Sequence, residues 1–182
     1  MKKNIVVAIT GASGSVYAKL LLDKLKDYQD INISVIISDE GKKVCEYELG
    51  KDFLSNISFK TYDNKDFFAA FASGSSVADI MIVIPCTMGT LGRIANGISD
   101  NLICRSADVV LKERKKLILV VRECPYNLIH IKNMEQVSLA GGIICPASPS
   151  FYSKPETIQD AANTIISRVL DLCGIKNENF RW

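Results

Sequence analysis

Along this chain the apolar residues gather into short unbroken runs, and between the runs they recur at helical spacing. Residues 4–10 (NIVVAIT), 31–38 (INISVIIS), 78–86 (ADIMIVIPC) and 116–123 (KLILVVRE) are of strand length and rich in Val and Ile. They lack the alternation of a half-exposed strand and mark strands covered on both faces. Residues 16–28 carry Tyr17, Leu20, Leu21 and Leu25 at helical spacing, and 40–49, 90–95, 100–113, 127–140 and 155–173 read as further helices. Residues 56–62 and 142–145 (GIIC) add two short strands, and 63–76 is a loop with short helical pieces. Pro155 at the start of the last helix and Gly174 just past its end fit the usual asymmetry of helix termini. Strands separated by helices predict an α/β fold. The expected form is a three-layer, Rossmann-like parallel sheet with helices on both faces, built by 1–182 as a single domain.

In such sheets ligands sit beyond the carboxyl ends of the strands. That rule nominates together the turn 11–15, Ser38, the loop 86–90, and Arg122 with Glu123. The first turn, TGASGS at 10–15, lets backbone approach a ligand, and the helix after it favours a phosphate. It is not the dinucleotide fingerprint, which needs glycines where Ser13 and Val16 stand. A merely tight turn is the plainer reading. Asp39 or Glu40 could hold a ribose, although Ser38 is the residue at the strand end. PCTMGT at 85–90 is a second strand-to-helix loop, with two hydroxyls and a glycine. Two such loops side by side suit a mononucleotide, and FMN is the natural candidate; the plainer reading makes Thr90 an N-cap. ASGSS at 72–76 is a third small-residue loop, equally readable as a surface turn.

The basic residues inform by placement. Arg122 closes a buried strand, where a charge must be paired or ligand-bound. Arg105 and Lys112 sit seven apart on one helix, hence roughly on one face. Arg168 is on the last helix and Tyr152 in the loop before it. His130 suits a packing or capping role, and Asp100 the cap of the helix it opens.

Composition narrows the functions. Of 182 residues, 48% are hydrophobic and 23% charged, a globular balance. Lys and Arg number 22 against 20 acidic residues, so a net charge of +2 is too small for a generic nucleic-acid binder. Six cysteines without a CxxC and a single histidine argue against a metal site, and the thiols read as reduced and cytoplasmic. The first strand begins too soon for a signal peptide, and no run is long enough to span a membrane.

Four segments in order, TGASGSVYAKLLL, PCTMGTLGRIANGISDNLICRSADVVLKER, VRECPYNLIHIKNM and CPASPSFYSKP, closely resemble the flavin prenyltransferases of the UbiX family. The resemblance runs from Ile5 to about Gly174, and Arg181 with Trp182 looks like the family's tail. It implies an FMN-binding Rossmann-like fold that assembles as trimers grouped into dodecamers. The implied reaction moves a dimethylallyl group from dimethylallyl phosphate onto reduced FMN without a metal. The prenylated FMN would serve a UbiD-type decarboxylase.

Residue by residue, the resemblance implies that Gly11, Ala12, Ser13 and Ser38 hold FMN, with Thr87, Met88, Gly89, Thr90 and Arg122. Tyr152 and Arg168 would bind the prenyl phosphate, assisted by Lys112 and Ser73, with Arg105 approaching a neighbouring subunit's site. Glu123 and Glu48 match acidic active-site positions, and Lys112 joins them as a catalytic candidate. Thr87 stands where many members have Ser, and Cys124 where Thr is common. Phe67, Phe68 and Phe71 align loosely with the family's lid region. Two other readings remain. An FMN-dependent cysteine-type decarboxylase would need an active-site histidine, and His130 is the one histidine here. A non-catalytic FMN carrier, or a subunit of a phenolic-acid decarboxylase, would need neither Lys112 nor Glu123.

Overall fold

The computed structural model describes residues 2–76 and 78–177. The expected tail residues Arg181 and Trp182 lie outside the described residues. Six strands pair in parallel: β1 (Lys3–Ile9), β2 (Ile31–Ile37), β3 (Lys60–Asp63), β4 (Ile80–Cys86), β5 (Lys116–Val121) and β6 (Ile143–Ile144). Their order is β3-β2-β1-β4-β5-β6. The chain therefore winds outward from β1 to one edge, then crosses back to β4 and winds to the other. The reversal lies between β1 and β4, and in such sheets that is the place where ligands bind, beyond the carboxyl ends.

The period of two in a strand sorts the core. Ile5, Val7 and Ile9 of β1 pack with α1 (Ser15–Leu25) and α7 (Ile158–Cys173), while Val6 and Ala8 face the opposite layer. That layer holds α4 (Met88–Ala95), α5 (Leu102–Lys112) and α6 (Leu128–Leu139). Beside α1 lie α2 (Asp39–Leu49) and the single turn α3 (Asp52–Ser55). Because β4 is buried at every position, its run could not alternate.

Several boundaries differ from the sequence reading for local reasons. The last helix starts at Ile158 rather than Pro155, because Thr157 and Asp160 form a reciprocal cap. Thr157 Oγ1 accepts the Asp160 N–H at 3.0 Å, and Asp160 Oδ2 accepts the Thr157 N–H at 3.0 Å. Asn101, not Asp100, caps α5, its Oδ1 accepting the Cys104 N–H at 3.0 Å. Asp100 instead pairs with Arg93 at 3.2 Å. The strand expected over 56–62 is shorter and later, at Lys60–Asp63. Five cysteines are buried and Cys124 is exposed. Burial pushes the Cys104 thiol up to about 11 and Cys173 to about 12, so these thiols are inert packing groups. Among the described residues no helix is long and apolar enough to cross a membrane.

Candidate functional site

The nominated loops meet at the β1/β4 switch. Ser38 N–H donates to Ile9 O at 3.0 Å, which sets the start of α2 against the end of β1. Arg122 N–H donates to Cys86 O at 3.2 Å, joining the end of β5 to the β4 loop. Its Nε reaches across to Ser13 O at 3.1 Å. Thr10 ties the β1 and β4 loops, donating to Pro85 O at 2.7 Å and accepting from Thr87 N–H at 2.9 Å. Gly11, Ala12, Ser13, Ser38, Thr87, Met88, Gly89, Thr90, Arg122 and Glu123 are thus carried by adjacent loops at one end of the sheet.

Two helices start at these loops. Ser38 caps α2 by accepting the Gly41 N–H at 3.0 Å. Thr87 caps α4 by accepting the Thr90 N–H at 3.1 Å and lies 3.0 Å from the Thr90 hydroxyl. Thr87, rather than Thr90, is therefore the N-cap. The glycines differ in purpose. A Cβ at Gly11 would lie 2.8 Å from Glu40 Cβ and 3.2 Å from its carbonyl carbon, so its smallness admits α2. A Cβ at Gly89 would meet Arg93 Nη1 at 3.5 Å and Thr87 Oγ1 at 3.9 Å, ordinary contacts that leave the space above it open. Two helix N-termini, the Thr87 and Thr90 hydroxyls, the Arg122 guanidinium and an uncovered glycine turn fit FMN.

Glu48 enters from α2. Its carboxylate accepts the Gly14 N–H at 3.0 Å and the Ser15 N–H at 2.7 Å, at the start of α1. Partial burial raises its pKa, but hydrogen bonds from Ser13, Ser15 and Gly14 outweigh that and hold it below the usual carboxylate range. A depressed folded-state value contributes stability above the unfolded glutamate value of about 4.3, and the contribution is lost as pH falls through the folded value. Glu48→Gln is therefore expected to lower the melting temperature by a few degrees at neutral pH, with the gap closing in acid. Thermal denaturation at both pH values checks this; an equal gap in acid would show that Glu48 acts by shape alone.

Other candidates gather elsewhere. Lys112 pairs with Glu113 at 2.5 Å, and both pack on Gly74, where a Cβ would lie 2.8 Å from Lys112 Nζ. Ser73 and Ser75 hydroxyls lie 3.1 Å apart in the same turn, and Arg105 Nε donates to Ala72 O at 3.1 Å. The turn 72–75 thus touches Arg105 on one side and Lys112 on the other. Lys112 precedes the six-residue strand β5 and Glu123 follows it. They sit at opposite ends of the sheet, about 20 Å apart at ~3.3 Å per residue. Within one chain, Lys112 therefore lies far from the loops that carry Arg122 and Glu123.

Arg168 lines a cavity of ≈530 Å³ at the β6 edge with Cys145, Ser148, Ser150 and Thr164, and Tyr152 lies 68% exposed on the neighbouring loop. His130 is a cap: its Nδ1 accepts the Asn127 N–H at 3.4 Å while Asn127 Oδ1 accepts its N–H at 2.9 Å. Among the described residues no three His, Cys, Asp or Glu side chains converge as a metal-binding set. Thr10 and Tyr17 stand beside these loops without a motif of their own to mark them. Burial raises the pKa of the Tyr17 phenol, and the Arg122 charge opposes that. Tyr17 is one turn into the helix after TGASGS, and Thr10 follows the first strand; those positions were the available signals.

Comparison with known proteins places this architecture. The family model described as Flavoprotein matches residues 1–171. A flavin prenyltransferase UbiX from Methanocaldococcus jannaschii is 48% identical over 98% of this chain and 97% of its own length. A dodecameric FMN-dependent UbiX-like decarboxylase from Escherichia coli O157:H7 superposes with a TM-score of 0.94 at 37% identity, covering 98% of each chain. AnUbiX, solved with FMN and dimethylallyl pyrophosphate, superposes with a TM-score of 0.90 at 35% identity over the whole of both chains.

Proposed function

The chain belongs to the flavoprotein family, in its UbiX-type flavin prenyltransferase branch, and from that membership we propose how its residues divide the reaction. It is an enzyme that transfers a dimethylallyl group from a phosphate ester to reduced FMN. Bound reduced FMN supplies the nucleophilic ring and an electron-rich face for a cation-like allyl fragment. The observation that carries this reading is the joining of the β1, β4 and β5 loops around Thr10 and Arg122.

In this reading Gly11, Ala12, Ser13 and Ser38 hold FMN from one side of the crevice. Thr87, Met88, Gly89, Thr90 and Arg122 hold it from the other. The donor's carbon–oxygen bond breaks and the phosphate leaves with the electron pair. Arg168, Tyr152, Lys112 and Ser73 meet that charge with donors set in place beforehand. Glu123 takes up or returns the proton that ring closure requires. Its Oε1 accepts the Cys124 N–H at 3.0 Å, and Oε2 is the oxygen left for that exchange. Glu48, held ionised by three donors, orients the start of α1 and is a poor proton donor.

Lys112 and Glu123 of one chain cannot share a site, so the site is completed by a second copy. The dodecameric relative supports this, as does the apolar surface of α6. Leu128, Ile129, Ile131 and Leu139 are 64, 68, 52 and 75% exposed, and Val137 is the one residue of α6 that is buried. A water-exposed apolar helix face of this kind is covered in an assembly. Residues 1–182 acting as one domain, a cytoplasmic address and a UbiD-type decarboxylase as recipient belong to the same reading. The buried free thiols support the address.

The direct test is anaerobic incubation of the protein with reduced FMN and dimethylallyl phosphate, then mass spectrometry of the extracted flavin. The flavin is expected to be heavier by one dimethylallyl unit, and a parallel reaction with the diphosphate ranks the donors. Unchanged mass with FMN retained would favour a carrier.

A further inference from the structure

We propose that Thr10 is a positioning residue for flavin capture, its one hydroxyl locking the β1 and β4 loops into a single floor. This rests on the flavin reading of those loops. The β1–β4 ladder runs from Ile5 opposite Ile80 to Ala8 opposite Val83 and ends there, while on its other side β4 shifts register against β5 between Val83 and Cys86. Pro85 has no N–H with which to carry a ladder onward. Thr10 closes that gap by other means. Its backbone N–H reaches Pro85 O at 3.3 Å, and its hydroxyl reaches the same oxygen at 2.7 Å. The hydroxyl oxygen also accepts the Thr87 N–H at 2.9 Å.

Thr87 in turn caps α4 through Thr90. One hydroxyl thus sets the height of residues 87–90 against residues 11–13, the two halves of the proposed FMN cradle. Thr10 is 3% exposed, so water cannot take over either bond. Among the described residues the other buried hydroxyls do not join the two loops. Ser106 returns to Leu102 O within its own helix at 2.7 Å, and Ser15 sits on the α1 side with Glu48.

Thr10→Val keeps the shape and removes the hydroxyl, while Thr10→Ser keeps both bonds. FMN titration by fluorescence quenching, at a temperature where each variant is folded, is expected to show T10V binding about tenfold or more weakly, the cost of orphaned buried groups. T10S is expected to bind nearly as wild type. Hydrogen exchange in a peptide covering 85–90 is expected to quicken in T10V and not in T10S. A merely structural role would lower the melting temperature and leave the affinity of the folded variant unchanged, and that result overturns the inference. If T10V does not fold, Thr10→Ala removes the hydroxyl with less strain and is judged by the same two readouts. Wild-type protein that takes up no FMN would overturn the flavin reading, and this inference with it. Tight wild-type binding matched by T10V overturns this inference alone.

Discussion

Glu123→Gln is expected to slow prenyl transfer by about 100-fold or more, the usual contribution of a placed acid or base, while FMN binding stays close to wild type. The substitution is isosteric and keeps an oxygen to accept the Cys124 N–H, the bond that fixes the side chain at 3.0 Å. Arg122, which reaches Ser13 O, lies beside it and is untouched. Single-turnover transfer under anaerobic conditions, set against an FMN titration of the same preparation, separates the two effects. Equal losses in both would make Glu123 a structural support of the crevice. A variant that transfers at the wild-type rate would move the proton to another group, the departing phosphate being the nearest in chemistry.

The scaffold was legible in the sequence because buried parallel strands write themselves as Val/Ile runs. Ile80–Cys86 could be nothing else at that length and composition. Helix starts were less legible, because a cap depends on which of two neighbours wins. Asn101 displaced Asp100, and the Thr157 and Asp160 pair displaced Pro155. The meeting of the β1, β4 and β5 loops was legible through the rule that ligands sit at strand carboxyl ends, which needs no side-chain detail. The end of the sheet at which Lys112 lies was not, because a helical spacing says which residues share a face and not which end of the sheet that face overlooks. Glu48 holds amides more than thirty residues earlier in the chain, a contact no local pattern encodes. Thr10 carries no local signal of its role, since the direction of a hydroxyl is set by the neighbouring strand.

The distance between Lys112 and Glu123 yields a second large effect, one that an active site contained in a single chain cannot produce. Lys112→Ala is expected to cost about 100-fold or more in transfer, by leaving the departing phosphate short of a cation. It leaves the fold intact, since an exposed pair such as Lys112 with Glu113 contributes little to stability. Co-expressed K112A and E123Q subunits form mixed assemblies. A site that draws Glu123 from one copy and Lys112 from another is intact when the first copy is K112A and the second E123Q. With equal random mixing that is roughly a quarter of all sites, so about a quarter of wild-type activity should return where each variant alone has almost none. Purification through two different tags, followed by the anaerobic transfer assay, reads the outcome. No recovery in a verified mixed assembly would mean that Lys112 does not act across the subunit interface, and its role toward the phosphate would pass to Arg168 at the β6 edge.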